Sequence, residues 1–393
     1  MNEATLVLNQ STRWDQKRFY ILVVTIVVSG FSQGLLLPLL SVLLEQQGIS
    51  ATFNGLSSAA LYIGMLLASP FMEKPVRRFG FKPMIITGMG LVVGSMILFP
   101  LWMNFYFWIF LRFIVGIGDN ALHFATQVWI TSTVLPEKRG RTISLYGLSY
   151  GIGFGIGPLG LILLRYGHWV PFIVAVFLFI LIFMTILLLK NEMPEQSQET
   201  HTEKRYLQVY SLAGIGLMPM FIYGFLEATL NSSFPIYGIR TGIRETVVST
   251  LLSSFVIGSL IFQLPLGIVS DKFGRKKVLT LVTLIGGILF GLVPFTNSNY
   301  GLFSIFILAG GLVGSLYSLG LAYVSDLIPI SLLPTANIIA TIHFGIGSII
   351  GPYLGGAVLS NISADSLFYL IAFVVISFAI FACIGRLIKN KRK

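Results

Sequence analysis

Ionisable side chains inside long apolar runs are costly to hold there, and they mark paths for ions or polar solutes. This chain has few. Arg112, Asp119 and His123 share one apolar run at separations of seven and four residues. At about 100° per residue a helix places all three within roughly 40° of one another. Thr126 extends the same stripe. A guanidinium, a carboxylate and an imidazole on one face have the chemistry of a proton or cation relay, or of a static ion pair between Asp119 and Arg112 or His123. Lipid satisfies neither, so the stripe must face other helices or a wet cavity. Glu227 lies in another run and His343 in a third, where the imidazole either joins a relay or only packs and hydrogen-bonds among small residues.

The runs that carry these groups are bilayer spans. Charged residues are only 10% of the 393 residues and hydrophobic ones 55%, with a mean hydropathy of +0.86. A soluble domain carries roughly 25% charge, whereas here the apolar runs reach the length of about 20 residues that crosses a bilayer. Twelve spans are predicted, over 19–44, 52–72, 84–103, 106–135, 142–164 and 169–189, then 208–236, 246–269, 278–296, 301–324, 336–360 and 367–385. The first is read as a retained helix because no small-residue cleavage site closes it. The single cysteine, Cys383, excludes a disulfide framework and a cysteine metal site. No metal or cofactor site is expected.

The net charge of +11 has a topological explanation. Lys and Arg gather in alternate connections, at 13–18, 74–82, 138–141, 190–205, 272–277 and 386–393. Only Arg165, Arg240 and Arg244 fall in the others, and Arg112 lies within a span. By the positive-inside rule both termini are expected to be cytoplasmic, in a multi-pass protein of the plasma or inner membrane. Nucleic acid is not needed to account for the charge.

The two halves repeat at an offset of 194 residues. Gly30-Phe31 returns as Gly224-Phe225, Phe79-Gly80 as Phe273-Gly274, and Gly153…Gly157-Pro158 as Gly347…Gly351-Pro352. The hydrophilic stretch at mid-chain separates six spans from six. The expected organisation is therefore a six-helix bundle over 1–189, a linker over 190–207 and a second bundle over 208–393 with a short basic tail. An even number of spans per copy makes the repeats parallel, related by an axis along the membrane normal. Overlaying the copies sets Gln33 against Glu227, Arg77 against Asp271 and Asp119 against Val313. A carboxylate facing an amide in the older frame suits a proton or cation site. Burial penalises a charged carboxyl and a nearby cation favours it, so alternation between two such surroundings is a way to take up and release a proton.

The segment Gly267-Ile-Val-Ser270-Asp271-Lys272-Phe-Gly274-Arg275-Lys276-Lys277 resembles the cytoplasmic loop signature of the major facilitator superfamily. The resemblance covers nearly the whole chain and implies an all-α fold of twelve transmembrane helices. It also implies that spans one and seven line the transport path. Gly274 would permit the tight turn, and Asp271 would meet a helix N-terminus in one transport state and leave it in another. Asp271, Gly274 and Arg275, with Arg77 and Gly80 in the first copy, are the expected gating loops. The first copy departs from the signature, because Arg77 stands where the acid belongs and the nearest substitute is Glu73.

Leu111-Arg112-Phe-Ile-Val-Gly116-Ile-Gly118 resembles a span-four Arg and glycine stretch that the family associates with proton coupling. Gly153, Gly157 and Pro158, with Gly347, Gly351 and Pro352, resemble a Gly-Pro signature of its export branches. Close packing and a proline kink account for the same residues without reference to direction. The resemblance thus implies a secondary transporter, not an enzyme, that moves a small organic solute by proton-coupled efflux. Protons or another cation and the lipid bilayer are its other partners, and a single chain suffices. No phosphate-cradling loop is present that would supply ATP-driven transport. The alternatives are a proton-coupled sugar or metabolite transporter of either direction, or a transporter-like sensor or lipid-handling protein.

Overall fold

In the computed structural model, which describes residues 3–132, 134, 139–194 and 203–391, the described chain is helical and contains no strand. The order is α1 (Glu3–Gln46), α2 (Ala51–Ala68), α3 (Glu73–Phe79), α4 (Phe81–Leu98), α5 (Phe105–Ser132), α6 (Arg139–Ile156) and α7 (Val170–Leu187). Then come α8 (Glu203–Thr241), α9 (Glu245–Phe273), α10 (Arg275–Gly291), α11 (Asn299–Val313), α12 (Leu316–Leu327), α13 (Leu333–Asn361) and α14 (Ser366–Lys391). Among the described residues eleven stretches are long and apolar enough to cross a membrane, and Ser366–Ala382 is a shorter apolar helix. The twelve predicted spans each find a helical counterpart. Lys138, the middle of the linker (195–202), Arg392 and Lys393 lie outside the described residues.

Helix is the only open-ended element whose backbone groups are satisfied without water, and the polar side chains conform to it. Thr25, Ser41, Thr229 and Ser232 donate their hydroxyls to carbonyls one turn earlier at 2.6–3.0 Å. Each thereby hides a polar atom inside an apolar run.

Three local features differ from the predicted spans. The loop between the second and third spans contains a short helix, α3, closed by Gly80 at φ +89°. Gly274, its repeat partner, closes α9 at φ +92°. In each copy a left-handed glycine lets one helix stop and the next begin at once. Span five is α-helical only to Ile156 and continues as a 3₁₀ helix over Gly157–Tyr166, with Pro158 at its start. Span ten is split between Val313 and Leu316 at Gly314-Ser315. The break adjoins Val313, the repeat counterpart of Asp119.

The described residues form two compact units. The first contains the chain up to Leu35, Gly64–Gly157 and the stretch from Leu163 to the linker. The second contains Leu36–Ile63, Pro158–Ile162 and the chain after the linker. Its core gathers Phe234, Phe290, Phe306 and Phe368, with ring centroids 4.9–6.4 Å apart.

The 194-residue offset returns as geometry inside each unit. A Cβ on Gly30 would lie 2.4 Å from the Tyr150 carbonyl oxygen, and one on Gly224 would lie 2.1 Å from that of Phe344. A Cβ on Gly153 would meet the Val27 oxygen at 2.0 Å, and on Gly347 the Phe221 oxygen at 2.2 Å. Every contact pair is displaced by the same 194 positions. The glycines let α1 meet α6, and α8 meet α13, backbone to backbone.

Candidate functional site

The close approach of α1 and α6 determines which side chains meet in the first unit. Gly30 and Gln33 are three residues apart on α1, and so lie on one face. With the Tyr150 backbone seated in the Gly30 notch, the Tyr150 hydroxyl donates a hydrogen bond to Gln33 Oε1. Gln33 is itself buried, and its Nε2 donates to Asp119 Oδ2 at 3.2 Å. The amide is thus held by its oxygen on α6 and by its nitrogen on α5. Asp119 Oδ1 has no hydrogen-bond partner among the described residues, although the residue is fully buried. A carboxyl oxygen so placed can receive a proton or a hydrogen-bond donor without giving up an existing partner.

One turn along α5, His123 makes a second crossing. Its Nε2 lies 3.2 Å from Ser29 Oγ and its Nδ1 2.7 Å from the Tyr146 hydroxyl. The ring meets Tyr150 edge-on at 5.2 Å. Neutral imidazole has one donor and one acceptor nitrogen, and hydroxyls take either role. The Ser29–His123–Tyr146 chain can therefore run in either sense, and switching between them takes up a proton at one end and releases one at the other. Asn120 braces the same helix against the end of α2, with Nδ2 2.6 Å from the Met65 carbonyl oxygen and 2.8 Å from Ser69 Oγ.

Of the stripe read from sequence, Asp119 and His123 thus meet Gln33 and Ser29 in one polar cluster. The static pair of Asp119 with His123 is not what forms, since the imidazole is engaged by Ser29 and Tyr146. Arg112 and Thr126 are both buried on the same helix. Sequence reasoning did not single out Ser29, Tyr146 or Tyr150. Tyr146 and Tyr150, one turn apart in a glycine-rich span, are the signal that was there to be used.

Glu227 and His343 belong to the second unit. Glu227 is half-buried, and Tyr223 stands one turn earlier on the same helix. Asn231 Nδ2 donates to the Glu227 carbonyl oxygen at 2.9 Å. Tyr223 packs against Phe344 with centroids 6.0 Å apart. His343 Nδ1 lies 2.9 Å from the Ile339 carbonyl oxygen and its ring 5.6 Å from that of Tyr210. Those contacts are the ordinary ones of a packed helical histidine.

At the glycine turns, Arg77 pairs with Glu73 one helical turn away at 2.6 Å. The acid nearest the missing one is therefore spent on the arginine that stands in its place. In the second copy Arg275 bridges Asp271 at 3.0 Å and Asp326 at 3.1 Å. The described partner of Asp271 is this arginine side chain. The expected contact with a helix N-terminus is not seen among the described residues.

Comparisons with known proteins agree with this architecture. The family model described as Major Facilitator Superfamily matches twice, over residues 22–220 and 217–393. The chain is 43% identical over 372 residues to the uncharacterized MFS-type transporter YfkF of Bacillus subtilis, covering 94% of this chain and 95% of that one. It is 22% identical over 338 residues to the uncharacterized MFS-type transporter YcaD of Escherichia coli, covering 84% and 86%. The crystal structure of a mutant form of the nucleoside transporter NupG superposes with a TM-score of 0.77 at 15% identity, covering 93% of this chain and 99% of that one. A bacterial homolog of the human lysosomal transporter Spinster, inward-facing and unoccupied, gives 0.68 at 15% identity over 94% and 95%. At such identities the two structures speak for the fold alone. Two repeats, membrane-spanning helices and family matches over both halves make the chain a member of the Major Facilitator Superfamily, a multi-pass membrane transporter.

Proposed function

We propose that this transporter couples the movement of a small organic solute to protons, and that the Gln33–Asp119 pair is where the proton is taken up. The observation that carries the reading is the buried Asp119 carboxyl with one oxygen held by Gln33 and the other without a hydrogen-bond partner among the described residues. A carboxyl fixed on one side and open on the other exchanges a proton without rebuilding its surroundings. The Ser29–His123–Tyr146 chain beside it supplies groups able to pass that proton onward. Glu227 is the corresponding group of the second unit, placed at the repeat position of Gln33. Efflux is the direction we favour, from the glycine-proline pattern at Gly153, Gly157 and Pro158 and at Gly347, Gly351 and Pro352. Alternating access by a single chain, with cytoplasmic termini and the Gly80 and Gly274 turns as gating elements, completes the proposal.

The test is substrate-dependent proton flux in proteoliposomes across a panel of candidate solutes. Wild-type protein should move protons with at least one solute, Asp119→Asn should abolish that coupling, and Glu227→Gln should weaken it. Intact coupling in Asp119→Asn would refute the site. Solute uptake with the proton gradient would reverse the direction, and no flux with any solute would favour a sensor or lipid-handling role.

A further inference from the structure

We infer that Glu192, just beyond α7, is a positioning residue that sets the register of α1 against α5 and so holds Gln33 on Asp119. The inference rests on the reading of that pair as the working site.

Glu192 reaches both helices with one side chain. Its Oε1 accepts from the Arg18 guanidinium on α1, and its Oε2 accepts from Trp129 Nε1 on α5 at 2.7 Å. Trp129 is fully buried, and the Arg18 side chain is only 13% exposed. Arg18 is about four turns from Gln33 along α1, and Trp129 about three turns from Asp119 along α5. The two helices that meet at the Gln33–Asp119 hydrogen bond are therefore tied a second time, at their far ends, through one carboxylate. Two fixed points on a pair of stiff helices leave little freedom to slide.

The backbone around Glu192 is itself held. The Phe81 N–H donates to the Glu192 carbonyl oxygen at 3.0 Å. Asn191 Nδ2 donates to the Phe79 carbonyl oxygen at 2.8 Å, and Asn191 Oδ1 accepts from the Lys82 N–H at 3.2 Å. Lys82 Nζ donates to the carbonyls of Leu187 and Leu189, both at 2.8 Å. The Asn191 amide occupies the space beside Gly80, where a Cβ would come within 2.4 Å. Finally, Phe81 stacks on Trp129 with centroids 5.5 Å apart and an interplanar angle of 13°. Segment 189–192 thus docks on the glycine turn, and the docking presents the Glu192 carboxylate to Arg18 and Trp129. This also explains how the first copy manages with Arg77 in place of the loop acid. The carboxylate comes from the end of the sixth span.

Labelling with dicyclohexylcarbodiimide, a hydrophobic reagent for buried carboxyls, tests this on the full chain without knowledge of the solute. Asp119 and Glu227 adducts are counted in the same digest by mass spectrometry, so Glu227 is the internal reference. Glu192→Ala should raise the Asp119-to-Glu227 labelling ratio about fivefold, the size of one hydrogen bond's net contribution. Arg18→Gln and Trp129→Phe each cut one arm of the bridge and decide the matter if Glu192→Ala does not fold. Each should move the ratio in the same direction. An unchanged ratio in these variants, with only a lowered melting temperature, would make Glu192 a structural clamp and overturn the inference. So would an equal rise at both carboxyls. If Asp119→Asn leaves proton coupling intact, the site reading fails, while the labelling ratio still reports on register.

Discussion

The Gly80 and Gly274 turns occupy the same place in the repeat and are built from different chemistry. Both glycines adopt a left-handed φ, +89° and +92°, and each separates two helices. Around Gly274 the stitching is ionic: Arg275, on α10, joins Asp271 and Asp326 at the end of α12. The repeat partner of Arg275 is Phe81, and Phe81 lies stacked on Trp129 near the end of α5. There the charge comes from Glu192, outside the repeated loop altogether. The same helix ends are joined in both copies, once by partly exposed ion pairs and once by buried aromatic and charge-assisted contacts. Duplication preserved the junction's location but left each copy to stabilise it separately.

The comparison can be strained first at what the copies share. Gly153→Leu and Gly347→Leu both drive a side chain into a carbonyl oxygen at 2.0–2.2 Å. Overpacking of this kind costs about 3 kcal/mol or more where backbone blocks relief. Both variants should lose most folded protein in detergent, whereas Gly90→Leu, with no described atom within 4 Å, should not. Tolerance of one member and not the other would show that the packing symmetry carries unequal weight.

The next largest effect separates the junctions. Trp129→Ala removes a fully buried ring and should cost about 3–5 kcal/mol. Arg275→Ala breaks pairs whose acidic partners are 64% and 51% exposed, so solvent screening leaves about 0–1 kcal/mol. Thermal unfolding of the two variants should differ plainly, and equal losses would erase the contrast. A smaller effect sharpens it. Raising the salt to about 1 M should shrink the Arg275→Ala difference and leave that of Trp129→Ala in place, because screening acts on exposed pairs.

Much of the fold was legible because membrane helices announce themselves by length and apolarity. The repeat was legible because glycine at a backbone crossing admits no substitute, so Gly30, Gly153, Gly224 and Gly347 survive as markers. The stripe of Asp119 and His123 was legible from helical spacing. Their partners were not. Ser29, Tyr146 and Tyr150 are common residues whose role emerges only when α1 and α6 are brought to backbone contact. Glu192 stood in a hydrophilic stretch that read as linker, and nothing local distinguishes it from its acidic neighbours. The break at Gly314-Ser315 was hidden inside an apolar run of suitable length. Periodicity reports which face a residue takes, and long-range pairing has to come from the packed structure.

The central claim is that the Gln33–Asp119 pair takes up the coupling proton, and solute-driven proton flux in proteoliposomes measures it most directly. Asp119→Asn keeps the side chain's shape while removing its titratable group. Coupled proton movement should fall at least about a hundredfold in this variant, as expected when a proton-transfer group is lost, while the protein remains folded. Proton coupling at the wild-type rate in folded Asp119→Asn protein would contradict the claim.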